Sequence, residues 1–228
     1  STDRDHRTLV ITGRVAREGQ NLLLQQARVV TELQNGLMRT RMVPFQRHVQ
    51  RLSRLVRQVA SDTGKQADLV VTGASGELDR QVLERMLPPF EHMLRNSVDH
   101  GLEPPDERVA KGKPQAGRIR LKASHEAGMI VIEISDDGRG LNRDRILQKA
   151  RERGLIPAGV TPPDSEIFQQ IFEAGFSTAE RVTEVSGRGV GMDVVRKRLE
   201  KLRGRVDIQS RPGQGASFIL RLPLTLAI

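Results

Sequence analysis

The stretch that most constrains the fold is EHMLRNSVDHG, residues 91–101. If it is helical, His92, Asn96 and His100 recur every four residues and share one face. The apolar residues of the same turns would then face the core: Met93, Leu94 and Val98. An Asn side-chain oxygen is a suitable Mg²⁺ ligand beside phosphate oxygens. The polar face is therefore either a metal and phosphate site or a surface in solvent.

A second motif, DDGRG at residues 136–140, directly follows a predicted strand over 129–135. A carboxylate at the end of a strand can accept a hydrogen bond from a ligand amine. The glycines allow the backbone to approach a ligand closely. The alternative is a simple turn between two elements.

Two further motifs lie closer to the C-terminus. IFEAGFST, residues 171–178, carries two of the six Phe, which either anchor a mobile loop or belong to the core. SGRGVGM, residues 186–192, precedes a predicted helix over 191–204. Glycines before a helix expose backbone N–H groups to phosphate, assisted by the helix dipole. No GxxxxGK[ST] pattern occurs, which excludes a Walker-type site.

The region around these motifs alternates between strand and helix patterns. A long helix is predicted over 78–100, with a bend or break at Pro88-Pro89, and another over 143–154. Short apolar or alternating runs predict five strands: 69–72, 119–122, 129–135, 206–210 and 217–222. These elements predict an α/β sandwich of two layers, with helices packed on a mixed sheet.

The N-terminal part is helical in pattern. Apolar residues recur at helical spacing in two sets, which are separated by Pro44: Leu22, Val29, Val30, Leu33 and Leu37, then Phe45, Val49, Leu52, Leu55, Val56 and Val59. Pro44 cannot continue a helix, so a break is predicted at residues 41–44. The prediction is an antiparallel helical hairpin over residues 1–66, followed by a second domain over residues 67–228. The hairpin either forms a four-helix bundle with a second copy or packs on its own C-terminal domain.

Composition limits the class of protein. The 228 residues include no Cys, which excludes disulfides, Cys-ligated zinc and cysteine catalysis. No apolar run approaches the ~20 residues that a membrane-spanning helix needs, and we expect a cytoplasmic chain. The net charge is +9, and residues 1–66 contribute most of it, with 12 basic and 5 acidic side chains. No Trp or Tyr is available for base stacking, so we expect no nucleic-acid partner.

The order of the four motifs is more specific than any one of them. HxxxN on a helix, DxGxG after a strand, FST and GxGxG before a helix resemble the N, G1, F and G2 boxes of the Bergerat-type (GHKL) ATP-binding fold of histidine kinases. RNSVDHG, DDGRGLN, FEAGFSTAE and VSGRGVGMDVV resemble the versions in the CheA family of chemotaxis kinases. LMRTRMVPF and LVRQVASDTGK resemble that family's dimerisation segment. The resemblance covers roughly residues 20–224.

This resemblance implies a binding site for ATP and Mg²⁺. Asn96 would bind Mg²⁺, Asp137 would accept the adenine amino group, and residues 176–188 would form a lid over the nucleotide. The other residues placed near phosphate by the resemblance are His92, Arg95 and His100. The remaining cofactor-binding residues would be Asp99, Gly138, Gly140, Ser177, Thr178, Gly187, Arg188, Gly189, Val190, Gly191 and Met192.

One position separates two reaction classes. ATPases of this superfamily place a Glu, as general base for water, four residues before the Asn. Here that position is His92, and Glu91 lies about 100° round the helix. Phosphoryl transfer to a histidine is therefore favoured over hydrolysis. The alternatives are an ATPase of the chaperone, mismatch-repair or topoisomerase kind, and a nucleotide-binding scaffold without catalysis.

None of the five His lies in a His-Glu/Asp-x-Arg/Lys-x-Pro setting. By resemblance to CheA, we expect the acceptor histidine on a separate phosphotransfer domain, which passes the phosphate to a response regulator. We also expect a C-terminal domain, missing from this sequence, that binds a CheW-like coupling protein at receptor arrays. The chain would then be a dimerisation and catalytic core excised from a larger protein.

Overall fold

The computed structural model describes residues 2–176 and 191–224. Its contacts divide the chain into two compact units, Ser1–Met42 and Val43–Ile228, and the second is called the body below. The first unit is a single long helix, α1 (Thr2–Arg41). Its large apolar side chains are more than half exposed: Val10, Ile11, Val15, Leu22, Leu23, Leu24, Val29, Val30, Leu33 and Leu37. Within the described ranges, no helix has both the length and the apolarity that crossing a bilayer requires.

The predicted break between the two N-terminal helices is confirmed. Helix α1 ends at Arg41, and a three-residue strand, β1 (Met42–Pro44), leads to helix α2 (Gln46–Asp62). Pro44 has no backbone N–H to donate, and its ring disfavours the helical conformation in the residue before it. The chain therefore leaves the helix at the position where the sequence predicts it.

Helix α2 belongs to the body. Leu52, Val56 and Val59 on its inner face are buried, and it packs on strand β2 (Ala67–Thr72) and helix α3 (Arg80–Asn96). By its contacts α2 falls within the body, which begins at Val43, and its apolar face packs on α3 and the sheet. The predicted hairpin domain over residues 1–66 stays a prediction.

The body contains a five-stranded mixed sheet with strand order β2-β4-β5-β7-β6. Strand β2 runs parallel to β4, and every other neighbouring pair is antiparallel. Each strand contains one of the five predicted apolar runs, so the five strand predictions are confirmed. The strands after β2 are β4 (Gly117–Glu126), β5 (Met129–Asp136), β6 (Arg205–Arg211) and β7 (Gly215–Pro223). A two-stranded sheet pairs β1 with β3 (Glu77–Asp79).

One face of the sheet is covered by helices. On β4, Ile119 and Leu121 are fully buried while Arg118 and Arg120 between them are exposed, which is the alternation of a sheet with one solvated face. The remaining α-helices are α4 (Pro105–Ala110), α5 (Arg143–Glu152), α6 (Asp164–Gln169) and α7 (Met192–Lys201). The predicted N-terminal helical region followed by a two-layer α/β sandwich is confirmed, whereas the antiparallel hairpin and its four-helix bundle stay predictions.

Helix α3 differs from the prediction at both ends and in the middle. It begins after Asp79, whose carboxylate accepts hydrogen bonds from the backbone N–H groups of Gln81 and Val82. Of the predicted bend or break at Pro88-Pro89, the break is wrong, because the helix continues through both prolines. Leu87, Pro89 and Phe90 are buried around this point, so packing holds the turn despite the missing N–H donors. After Asn96 the helix widens into a π-helical turn over residues 97–101.

Candidate functional site

The end of helix α3 carries the polar pair that the sequence predicts on one face. The side-chain nitrogen Nδ2 of Asn96 lies 3.2 Å from Nε2 of His92. An amide NH₂ can only donate, so this contact requires an unprotonated Nε2 and leaves the amide oxygen of Asn96 as the group available to a ligand. The apolar residues of the same turns are buried as predicted: Met93, Leu94 and Val98.

The π-helical turn changes the helical register after Asn96. A π turn bonds each residue to the fifth one along, so the four-residue spacing no longer keeps His100 in line with His92 and Asn96. His100 is exposed, and its Nε2 lies 3.5 Å from the Asp99 carboxylate. The structure therefore joins His92 with Asn96 and places His100 beside Asp99 instead.

Lys65, in the connection between α2 and β2, holds the π-helical turn from the side. Its ammonium group donates hydrogen bonds to the carbonyl oxygens of Val98, at 2.9 Å, and Asp99. Burial lowers the pKa of Lys65, and the nearby Asp99 carboxylate partly offsets that effect. The sequence analysis missed this contact because no local pattern links residues 33 positions apart.

The DDGRG turn meets the end of the π-helical turn. The backbone N–H of Arg139 donates to the carbonyl oxygen of Gly101 at 2.9 Å. A Cβ at Gly138 would collide with that same carbonyl, so only glycine fits there. Gly140 has a φ of +78°, and a Cβ at this position would lie 2.7 Å from the carbonyl oxygen of Arg211. Both glycines of the motif are thus required by close packing and by backbone conformation.

The two carboxylates of the motif have different environments. Asp136 is partly buried beside Gly101, Gly138 and Gly215, and its Oδ1 accepts the Gly138 N–H at 2.9 Å. Asp137 instead pairs with the fully buried Arg108 at 3.1 Å, and it also accepts the Arg118 backbone N–H at 2.9 Å. Asp137 is therefore already engaged by the protein, whereas Asp136 lies where the helix end, the turn and the β6–β7 hairpin converge.

The pKa of Asp136 reflects this environment. Burial raises it to about 6, and backbone hydrogen bonds from Gly138 and Ala216 only partly counteract the effect. A partly buried carboxylate with a raised pKa, packed against glycines, is a candidate for ligand binding. The acceptor predicted from the sequence is Asp137, whereas the DxGxG spacing begins at Asp136, which makes Asp136 a second candidate.

The β6–β7 hairpin forms the third side of the site. The Ser210 hydroxyl accepts the Leu141 N–H at 2.8 Å, and the Gly213 N–H donates to the Arg139 carbonyl at 2.9 Å. A Cβ at Gly215 would collide with the Asp136 carbonyl oxygen. Hydrogen bonds from both sides therefore fix the backbone around Asp136.

The N-terminus of helix α7 lies close enough to influence His92. Burial lowers the pKa of His92, the positive charge of Arg95 lowers it further, and Asp193 in the first turn of α7 opposes both. His92 is accordingly neutral near pH 7. Helix α7 begins at Met192 with Gly191 as its N-cap residue. Arg95 is exposed on α3.

Only residues 171–176 of the third motif are among the described residues. Phe172 is buried in the core, while Phe176 is partly exposed and lies under the cations of Lys149 and Arg153, at 5.8 and 5.5 Å from the ring centroid. Most of the predicted lid, residues 176–188, lies outside the described residues. The predicted site residues that fall there are Ser177, Thr178, Gly187, Arg188, Gly189 and Val190.

The donor set fits a nucleotide with a divalent cation. Among the described residues, no three His, Asp or Glu side chains gather into a metal-binding group. Mg²⁺ commonly takes one or two protein oxygens and completes its shell with phosphate and water, which the free amide oxygen of Asn96 satisfies. The partly buried Asp136 offers a matching acceptor for an amine at the other end of the site.

Comparison with known proteins identifies a family and several similar sequences. Residues 87–226 match the family described as Histidine kinase-, DNA gyrase B-, and HSP90-like ATPase. A chemotaxis protein CheA of Rhizobium meliloti (strain 1021) is 47% identical over 91% of this chain and 28% of its own length. Chemotaxis protein CheA of Bacillus subtilis (strain 168) is 45% identical over 90% of this chain and 31% of its own. The chain thus spans less than a third of these relatives.

Among solved structures, the histidine kinase domain of the Erythrobacter litoralis EL346 blue-light activated histidine kinase matches 80% of this chain and 66% of its own. The TM-score is 0.47 and the sequence identity 14%. The family match covers the α3 end, the DDGRG turn and the β6–β7 hairpin, which together surround Asp136. The chain belongs to the histidine kinase-, DNA gyrase B- and HSP90-like ATPase family, and it resembles CheA proteins over about nine tenths of its length.

Proposed function

We propose that this chain is the core of a CheA-like protein-histidine kinase. It binds Mg-ATP and transfers the γ-phosphoryl group to a histidine on a separate phosphotransfer domain. The observation that carries the proposal is the partly buried Asp136, which has a raised pKa and lies against the π-helical turn, the DDGRG turn and the β6–β7 hairpin. The similarity to CheA proteins supports a histidine as the phosphate acceptor.

At the base end of the site, Asp136 accepts a hydrogen bond from the adenine amino group. Asp137, which the sequence analysis proposed for this role, is held by Arg108 and by the Arg118 N–H. Gly138 and Gly140 let the backbone come close to the base. An ionised carboxylate is needed for this contact, so base binding requires a pH near or above the Asp136 pKa of about 6.

At the phosphate end, Asn96 holds Mg²⁺ through its amide oxygen while His92 fixes the amide orientation. When bound, the ion neutralises charge on the phosphates. Arg95, Asp99 and His100 lie on the adjoining turns. The further phosphate contacts remain those predicted from the fourth motif and the lid: Ser177, Thr178, Gly187, Arg188, Gly189, Val190, Gly191 and Met192.

The environment of His92 favours transfer over hydrolysis. Its Nε2 already accepts the Asn96 amide, so this nitrogen is not free to take a proton from an attacking water. Phosphoryl transfer depends chiefly on positioning and charge neutralisation, which the protein can supply without a base at this position. The second candidate is a superfamily ATPase, which the family match alone would equally allow.

The proposal includes partners that the sequence analysis expected. The chain forms a homodimer through residues 1–66, and the exposed apolar side chains of α1 provide the contacts, since α2 packs in the body. The phosphorylated domain passes its phosphate to a response regulator. A further domain binds a CheW-like coupling protein, in a cytoplasmic complex at receptor arrays.

Calorimetric titration with a non-hydrolysable ATP analogue, with and without Mg²⁺, tests the site. We expect binding that strengthens with Mg²⁺, loss of that strengthening in Asn96→Ala, and loss of binding in Asp136→Asn. Asp68→Asn, exposed on β2, is the matched control, because it makes the same one-atom change away from the site. Absence of binding in the folded wild-type chain would refute the proposal. Wild-type affinity in Asp136→Asn would refute the assignment of the base end.

The reaction class needs a separate measurement. The chain is incubated with γ-labelled ATP and the phosphotransfer domain of a CheA relative. We expect label on the domain's histidine and little release of free phosphate in its absence. Release of phosphate at the same rate with or without the domain would favour the ATPase candidate.

A further inference from the structure

A buried cluster of charged residues lies directly behind the DDGRG turn. Arg108 on α4 is fully buried, and Glu103, in the segment before α4, is 1% exposed. Lys113 follows α4 and has only 18% of its side chain exposed. With Asp137, the cluster contains two cations and two anions. None of the three residues Glu103, Arg108 and Lys113 has a part in the function proposed above.

The hydrogen bonds of this cluster are almost fully satisfied. The Glu103 carboxylate accepts from Arg108 Nη1 at 3.2 Å and from Lys113 Nζ at 2.7 Å. Arg108 Nε donates to the Pro114 carbonyl at 2.7 Å, and Nη2 donates to the Asp137 carboxylate at 3.1 Å. Burial alone would raise the pKa of Glu103, but hydrogen bonds and the charges of Lys113 and Arg108 lower it overall, so Glu103 stays ionised.

The remaining donors hold the backbone of the turn. Lys113 Nζ donates to the carbonyl oxygens of Asp137, at 3.0 Å, and Gly138, at 2.9 Å. Arg108 Nη1 also donates to the Asp137 carbonyl at 3.3 Å. With Glu103, these contacts use all three hydrogens of the Lys113 ammonium group. The two carbonyls belong to the residues that immediately follow Asp136.

A buried cluster of charges contributes little net free energy to the stability of a fold. Removing several charges from water costs much of what their attraction returns, and apolar residues of similar volume often serve stability equally well. Its distinctive property is geometric, because two cations, Arg108 and Lys113, hold one short turn through four hydrogen bonds. Sites that bind ligands tightly need supporting groups of this kind to hold the contacting residues in place.

We infer that Glu103, Arg108 and Lys113 are positioning residues that fix the turn after Asp136 and thereby set the preference of the site for adenine over other bases. The inference rests on the proposed role of Asp136 in binding the base. The cluster contacts only the backbone and the far side of the turn, so its effect on the nucleotide passes through the Asp136 carboxylate. The phosphate end, at His92 and Asn96 on α3, does not depend on it.

Lys113→Met in the full chain is the first test, because this side chain reaches the surface and its loss spares the most buried pair. Non-hydrolysable ATP and GTP analogues are titrated into folded wild type and variant. We expect the affinity for the ATP analogue to fall about tenfold, since small displacements of a positioned group are costly. The affinity for the GTP analogue should change less than about twofold, so the discrimination between the bases shrinks.

Two further variants and one control complete the design. Arg108→Gln should shift discrimination in the same direction and further, and Arg120→Gln, an exposed arginine on β4, is the control that should leave it unchanged. Lys113→Arg keeps donors for the two carbonyls and should recover most of the discrimination. Unchanged discrimination in Lys113→Met, or equal loss for both analogues, would overturn the inference. A wild-type chain that binds neither analogue would instead refute the proposed function.

Discussion

The two helices on either side of Pro44 have similar sequence patterns and different surroundings. In α1, Leu22, Leu33 and the other apolar residues are 51% to 69% exposed. In α2, Leu52 and Val56 are buried at 0% and 1% exposure, because β2 and α3 cover them. An apolar stripe at helical spacing therefore shows that a helix needs a partner surface, but it does not identify the partner.

The two helices also differ in the function that we propose for them, which is support of the site for α2 and association for α1. The α2 helix supports the nucleotide site, since it packs on the helix that carries His92 and Asn96 and connects to Lys65. The α1 helix contributes an apolar surface with i,i+4 ion pairs such as Arg14–Glu18 and Arg28–Glu32 on exposed positions. Changes in α2 should therefore alter folding and nucleotide binding, and changes in α1 should alter association.

The largest expected effect is the removal of a core side chain from α2. Leu52→Ala should lower the free energy of unfolding of the body by about 3 kcal/mol, because the leucine is fully buried and leaves a cavity. Chemical denaturation followed by circular dichroism measures the change. Leu33→Ala in α1 is the matched control. Equal destabilisation by the two variants would remove the distinction between the helices.

The contribution of Asp136 to the stability of the body should be smaller and should depend on pH. Burial raises the Asp136 pKa to about 6, above the ordinary value for an aspartate of about 4, so between these pH values the folded state keeps a proton that the unfolded state loses. Stability from the protonated group is therefore present below about pH 4 and is lost as the pH rises to about 6. Above that, ionised Asp136 should cost about 2 to 3 kcal/mol relative to a neutral side chain.

Asp136→Asn isolates this contribution. At pH 7 the variant should be more stable than wild type by about 2 kcal/mol, even though it no longer binds the base. At pH 4 the two proteins should be equally stable. Denaturant unfolding at both pH values measures the difference between them. A wild type that is more stable than Asp136→Asn at pH 7 would contradict a raised Asp136 pKa.

Replacing Lys65 tests whether the segment after α2 supports the site. The expected loss of stability is intermediate. Lys65→Met keeps the aliphatic stem but leaves the carbonyls of Val98 and Asp99 without this donor, at a cost of about 1 to 2 kcal/mol. The displaced turn should also weaken binding of the ATP analogue. Arg57→Met, exposed on α2, is the control. A stable Lys65→Met with wild-type affinity would show that this contact positions nothing.

The smallest effect on the body is expected from α1. Replacing Leu33 and Leu37 together by Asp should leave the unfolding of the body unchanged within about 0.5 kcal/mol, as for ordinary surface positions. The same variant should lower the mass in sedimentation equilibrium from dimer to monomer, because it places charge on the proposed contact surface. A variant that remains dimeric would exclude these positions from the dimer contacts.

Local patterns were sufficient for much of the fold. Pro44 located the helix break, alternation located the five strands, and helical spacing placed Met93, Leu94 and Val98 in the core. The pairing of His92 with Asn96 was also predictable, because four residues apart on a helix means one face. Each of these features depends on residues close together in the sequence.

Other features depend on distant residues and could not be predicted in this way. The packing of α2 requires β2 and α3, and the continuity of α3 through Pro88-Pro89 requires a core that holds it. Charged residues are usually exposed, so nothing local indicated that Arg108 is fully buried. The choice between Asp136 and Asp137 depended on which carboxylate Arg108 engages.

The most direct test compares the full chain with a version that begins at Val43. Both are titrated with the non-hydrolysable ATP analogue and Mg²⁺, and their masses are measured by light scattering. We predict equal affinity, with a dimer for the full chain and a monomer for the body alone. Loss of nucleotide binding from a folded body would contradict the account, because the site would then depend on α1.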